Sequence, residues 1–136
     1  MANSLEDALQ DLGRAQQELA QALDAHRKAV DDEKTLKKTK DTLLLTISAT
    51  KDKISALKNK LNEADLGADE RRRILQEIVD LEADQSRYEK ALGDTETDLI
   101  VARMRVGFTL DDVKAAMQKL LTAIAEVNQQ IGFLHR

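Results

Sequence analysis

Apolar residues recur along this chain at alternating steps of three and four, the spacing that gathers them on one stripe of an α-helix. A first stripe runs through Leu5, Leu9, Leu12, Leu19, Leu23 and Val30 and continues through Leu36, Leu43, Ile47, Ile54, Leu57 and Leu61. Ser4 stands just ahead of it with Asp7 at the third helical position, a carboxylate variant of the capping box that also complements the helix dipole. Neither glycine nor proline interrupts Arg14 to Leu66. The next strong stop is Asp65-Leu66-Gly67-Ala68-Asp69, where Gly67 suits a left-handed C-cap and Asp69 suits the N-cap of a second helix. The pattern predicts a helix over 4–65 and a turn over 65–69.

Beyond the turn, Ile74, Ile78, Leu81, Tyr88, Leu92, Leu99, Ala102 and Val106 keep heptad spacing, with Gln85 and Thr95 as polar seam positions. Gly107 comes next. Thr109 with Asp112 repeats the capping logic, and Phe108 with Val113 resembles a hydrophobic staple. The spacing therefore predicts helices over 69–106 and 109–134, the second arm being kinked or broken near Gly107. The last segment carries the cleanest stripe of the chain: Leu110, Val113, Met117, Leu120, Ile124, Val127, Ile131 and Leu134.

Helix length sets the topology. At 1.5 Å per residue the first helix reaches about 90 Å, and the two later ones laid end to end reach roughly the same. The expected fold is all-α, a long antiparallel helical hairpin of coiled-coil type. Reflection about the turn pairs positions whose numbers add to about 134. It sets Lys51, Lys53, Lys58 and Lys60 against Glu77, Asp80, Glu82 and Asp84. Farther along, Lys37, Lys38 and Lys40 face Asp94, Glu96 and Asp98, while Asp31, Asp32 and Glu33 face Arg103 and Arg105. Exposed pairs of this kind contribute only about 0.3–0.5 kcal/mol each, so they select register more than they stabilise. Both arms turn polar together, at Asp31 to Asp41 and at Gly93 to Asp98. That stretch reads as a flexible waist or as a weaker, charge-paired seam. If the first helix instead broke there, the chain would fold as a compact four-helix bundle.

Composition narrows the alternatives. The chain has 136 residues, no proline, no cysteine, five glycines and 2% aromatics, so thin leucine and alanine seams must supply what large core anchors supply elsewhere. The absence of cysteine removes disulfides and thiolate chemistry. A net charge of −4 with interspersed signs gives no field strong enough to argue for nucleic acid or an anionic membrane. The longest purely apolar runs, such as Leu43-Leu44-Leu45, fall far short of a span of about 20 residues. No basic and apolar leader precedes Leu5, so a cytoplasmic location is expected, with packaging in a phage or secretion assembly left open.

Candidate chemistry is sparse. His26 occupies a seam position and, by the reflection, faces the Gly107-Phe108 stretch; it reads as a packed histidine or as a pH-sensitive contact. His135 stands near the carboxyl end. No Glu-x-x-His pair and no zinc-ligand spacing occurs, so neither a di-iron centre nor another cofactor is expected. Arg71, Arg72 and Arg73 follow the turn and are candidates to bind a partner, although Glu63, Asp65, Asp69 and Glu70 offset their field. No phosphate loop or nucleophile motif is present, and enzymatic activity is not expected.

The end remote from the turn is rich in alanine, with Ala8, Ala15, Ala20, Ala22, Ala25 and Ala29 set against Ala115, Ala116, Ala123 and Ala125. More apolar surface lies there than one partner helix covers. The expectation is self-association as a homodimer, through Leu110, Val113, Met117, Leu120, Leu121, Ile124, Val127 and Ile131 together with Leu12, Leu19 and Leu23. The chain then reads as a structural or adaptor protein that assembles through its alanine-rich end and meets another protein through the charged arm or tip. Alternatives are a nucleic-acid-associated helical protein and an export or phage assembly chaperone.

Overall fold

A computed structural model of the chain describes residues 4–135. Two helices account for nearly all of them: α1, Leu5–Lys60, of 56 residues, and α2, Ala68–Leu134, of 67 residues. They pack against each other as an antiparallel hairpin. Residues 4–33 with 101–135 belong to one compact unit, here the terminal unit, and Lys34–Ile100 form a second, here the turn unit.

Ser4 opens α1 as its sequence context predicts. Its Oγ accepts a hydrogen bond from the Asp7 backbone N–H at 3.1 Å, and its carbonyl accepts from Ala8. The helix is unbroken through Asp31 to Asp41, so the four-helix alternative is not realised. The ends near the turn differ from expectation. α1 stops at Lys60, where Asn62 and Glu63 donate back to the Asn59 and Lys60 carbonyls in tightened turns. Arg71 Nη1 satisfies the Leu61 carbonyl at 3.2 Å. With those carbonyls occupied, no left-handed residue is required, and Gly67 has no positive φ. Its carbonyl instead accepts from the Arg71 N–H at 3.0 Å, and Asp69 lies inside the first turn of α2, where it complements the dipole.

Of the kink or break expected near Gly107, the break is absent, since α2 runs unbroken through it. Thr109, expected as a cap, sits mid-helix with its hydroxyl donating to the Arg105 carbonyl at 2.9 Å. Side-chain bonding of this type lets threonine occupy helix interiors, and Thr39, Thr46, Thr50, Thr97 and Thr122 repeat it.

Burial displays the heptads directly. From Leu5 to Leu61, every buried or half-buried position of the chain except Asp11 and Thr46 falls in strictly alternating steps of three and four. From Ile74 to Gln130 the same holds with Asp84, Ala91 and Glu126 as exceptions. Register is fixed in the terminal unit by His26, whose Nδ1 lies 2.9 Å from Thr109 Oγ1. Carried along that unit's seam, this pairing places Ala15 against Leu120, Leu19 against Ala116 and Ala22 against Val113. Each layer thus combines one alanine with one larger side chain, a composition that permits close helix approach.

The turn unit uses larger residues. Ile54, Ile74 and Ile78 are buried together, with Leu57, Leu61, Leu66 and Leu81 packed around them. Thr50 and Thr95 are its buried polar positions, and Thr50 is satisfied by the Thr46 carbonyl. Among the described residues no buried side-chain polar atom lacks a partner. Of the ion pairs expected across the arms, Lys58 reaches Glu82 at 3.7 Å, while Lys60 pairs with Glu70 at 3.7 Å instead of the more distant acids.

Candidate interaction surfaces

Only part of the stripe read from Leu110 to Leu134 is seam: Val113, Leu120 and Val127 belong to it. Inward positions of α2 in the terminal unit are Thr109, Val113, Ala116, Leu120, Ala123, Val127 and Gln130. Leu110, Met117, Ile124 and Ile131, each one residue past a seam position, are exposed. On α1, Leu9, Leu23 and Val30 are likewise exposed, while Leu12 and Leu19 are half-buried in the seam. The eleven positions expected to form an oligomer interface therefore divide. Val113, Leu120, Val127, Leu12 and Leu19 face the chain's own partner helix. Leu23, Leu110, Met117, Leu121, Ile124 and Ile131 face outward. The alanines also lie differently: Ala8, Ala15, Ala29, Ala116 and Ala123 are buried inside the hairpin, whereas Ala115 and Ala125 are exposed. Leucine and isoleucine at a one-residue offset mimic a seam in the sequence, and the small size of alanine conceals the real one.

His26 is the one seam histidine, and its geometry is defined from both sides. His26 Nδ1 and the Thr109 hydroxyl share a hydrogen bond of 2.9 Å, and the same hydroxyl lies within reach of the Arg105 and Val106 carbonyls of its own helix. This is a structural contact within the terminal unit.

At the turn, the three arginines separate in role. Arg71 is held by the Leu61 carbonyl, whereas Arg72 and Arg73 are exposed and make no ion pair among the described residues. Elsewhere, Lys119 Nζ meets Glu18 Oε2 at 3.2 Å beside an open groove of about 340 Å³ lined also by Arg14, Gln118 and Glu126. The groove is shallow and carries both charges, and no catalytic constellation lines it. Among the described residues no three histidines or carboxylates gather as a metal-holding group, and no helix is long and apolar enough to cross a membrane.

These features define an antiparallel helical hairpin whose surface offers an aliphatic face in one unit and, in the other, a turn of mixed charge that exposes Arg72 and Arg73. Compared with protein-family models, curated proteins and solved structures, the chain matches none.

Proposed function

We propose that this chain is a non-catalytic helical scaffold that associates with itself through the terminal unit and meets another protein through the charged arm or tip of the hairpin. One observation carries the reading. The seam of the terminal unit is already filled by its own alanine and aliphatic layers, yet Leu23, Leu110, Met117, Ile124 and Ile131 remain 40–49% exposed outside it. A helix whose apolar stripe extends past its seam is built for a bundle of more than two helices. The tip supports the second half of the reading, since Arg72 and Arg73 have no ion-pair partner among the described residues.

Two full-length copies carrying different affinity tags and produced together test self-association. Capture through one tag should retain the other as well, at about half its amount for random pairing into dimers. Recovery of only the captured tag would refute it.

A further inference from the structure

The two flanks of the seam differ in a way that identifies the interface. In an antiparallel pair of heptad helices, the residue following each d position of one helix lies on the same flank as its counterpart in the other, and the residue preceding each a position lies on the opposite flank. Here Ala8, Ala15, Ala22 and Ala29 take d on α1, and Thr109, Ala116, Ala123 and Gln130 take d on α2. Lys58 with Glu82 belongs to the first flank, and Glu18 with Lys119 and Lys60 with Glu70 to the second, so the ion pairs verify the assignment.

On the first flank, chemistry changes with the unit. In the turn unit it is mostly charged, with Lys37, Lys51 and Lys58 around Leu44 on α1 and Glu82, Glu89 and Glu96 after Leu75 on α2. In the terminal unit the same heptad positions are Leu9, Gln16, Leu23 and Val30 on α1 and, past Arg103 at the unit's border, the eight are completed by Leu110, Met117, Ile124 and Ile131 on α2. Every one of these eight is exposed. Packing favours the other flank: Asp11 and Glu126, both preceding a positions, are half-buried. A terminal unit standing alone thus shelters carboxylates while seven aliphatic side chains, 38–51% exposed, face water.

Deepening the self-association proposed above, and resting on it, we infer that the aliphatic part of this flank is the interface and that its occupant is the same flank of a second copy, the two terminal units joining as a four-helix bundle. Three observations select a second copy. None of the eight positions is charged, so the complementary surface must also be uncharged and aliphatic, which this flank itself is. With Leu121 at its edge, the flank exposes on the order of 600 Å² of apolar surface, close to the ~800 Å² per partner of a standard interface and at the upper limit for a lone monomer. Its border holds Glu6, Arg27, Lys114 and Asn128 but also the small Gly13, Ala20 and Gly107, and a Cβ added at either glycine would meet nothing within 4 Å. Mid-helix glycine disfavours a helix, and neither has a positive φ to explain its presence, whereas close approach of another helix does.

Sedimentation equilibrium on full-length variants tests the inference. Met117→Glu with Ile124→Glu should sediment as a single chain of 15.2 kDa with its helical circular dichroism retained, because neither residue serves the seam. Ala115→Glu with Thr122→Glu puts the same charges on neighbouring turns but on the outer face, and should remain dimeric. Gln16→Leu supplies the one aliphatic residue missing from those eight positions and should tighten the dimer about tenfold or more, a gain that misfolding cannot produce. If the wild-type chain dimerises while the Met117/Ile124 variant does so undiminished, or Gln16→Leu leaves affinity unchanged, this flank is not the interface although self-association stands. A wild-type chain that stays single at every concentration overturns both.

Discussion

Thr109 and His26 illustrate how one residue can be right in position and wrong in role. The pair was legible as a juxtaposition, since reflection about the turn brings His26 to the Gly107-Phe108 stretch, and the structure sets it on the next residue, Thr109. It was not legible that Thr109 lies mid-helix, because Thr-x-x-Asp after glycine is a good capping signal and only tertiary packing overrides it. Thr109→Val should leave the half-buried His26 Nδ1 without its hydrogen-bond partner and lower stability by about 1–2 kcal/mol in urea unfolding. Adding His26→Leu should recover most of that loss. An additive double variant would remove the proposed coupling. Arg71 makes the same point at the tip: adjacent identical residues divide into one that completes the end of α1 and two that stay available, a distinction made by the Leu61 carbonyl alone.

At the scale of the element, the start of α1 was written in Ser4 and Asp7, and its continuity in the lack of glycine or proline after Gly13. Its end lies at Lys60, several residues before the position 65 that Gly67 suggests by looking like a C-cap. In fact Gly67 serves the start of α2. Gly107 misleads similarly: an isolated glycine in a helical pattern lowers propensity by about 1 kcal/mol but does not by itself end a helix held by its neighbour. Since α2 is continuous there with open space around it, Gly107→Ala should stabilise the hairpin by about 0.5–1 kcal/mol in thermal or urea unfolding of the dissociated chain. A loss of stability would point to a break at that position. In the turn unit, Ile78→Ala should cost about 2–4 kcal/mol, since Ile78 is buried against Ile54 and Ile74 and the cavity left behind would not be refilled.

For the molecule as a whole, hairpin topology and approximate register followed from stripe spacing and charge reflection. Which flank of the terminal unit is apolar did not, because that depends on whether Leu110 or Thr109 points inward. Weighting by size selects the larger residues, although a seam of alternating alanine and large layers leaves regularly spaced leucines and isoleucines over for another contact. An aliphatic interface has a distinct ionic signature. Raising salt from about 0.1 to 1 M shortens the screening length from about 10 to 3 Å, which weakens exposed pairs such as Lys58 with Glu82 but should leave self-association unchanged or slightly stronger. Dissociation on adding salt, read by sedimentation, would favour a charged interface instead.

The most direct measurement is the mass of the full-length chain by light scattering through a dilution series. The account predicts twice 15.2 kDa at high concentration, falling toward 15.2 kDa on dilution without loss of helix. A mass of 15.2 kDa throughout the series would contradict it and leave the aliphatic flank to a different partner.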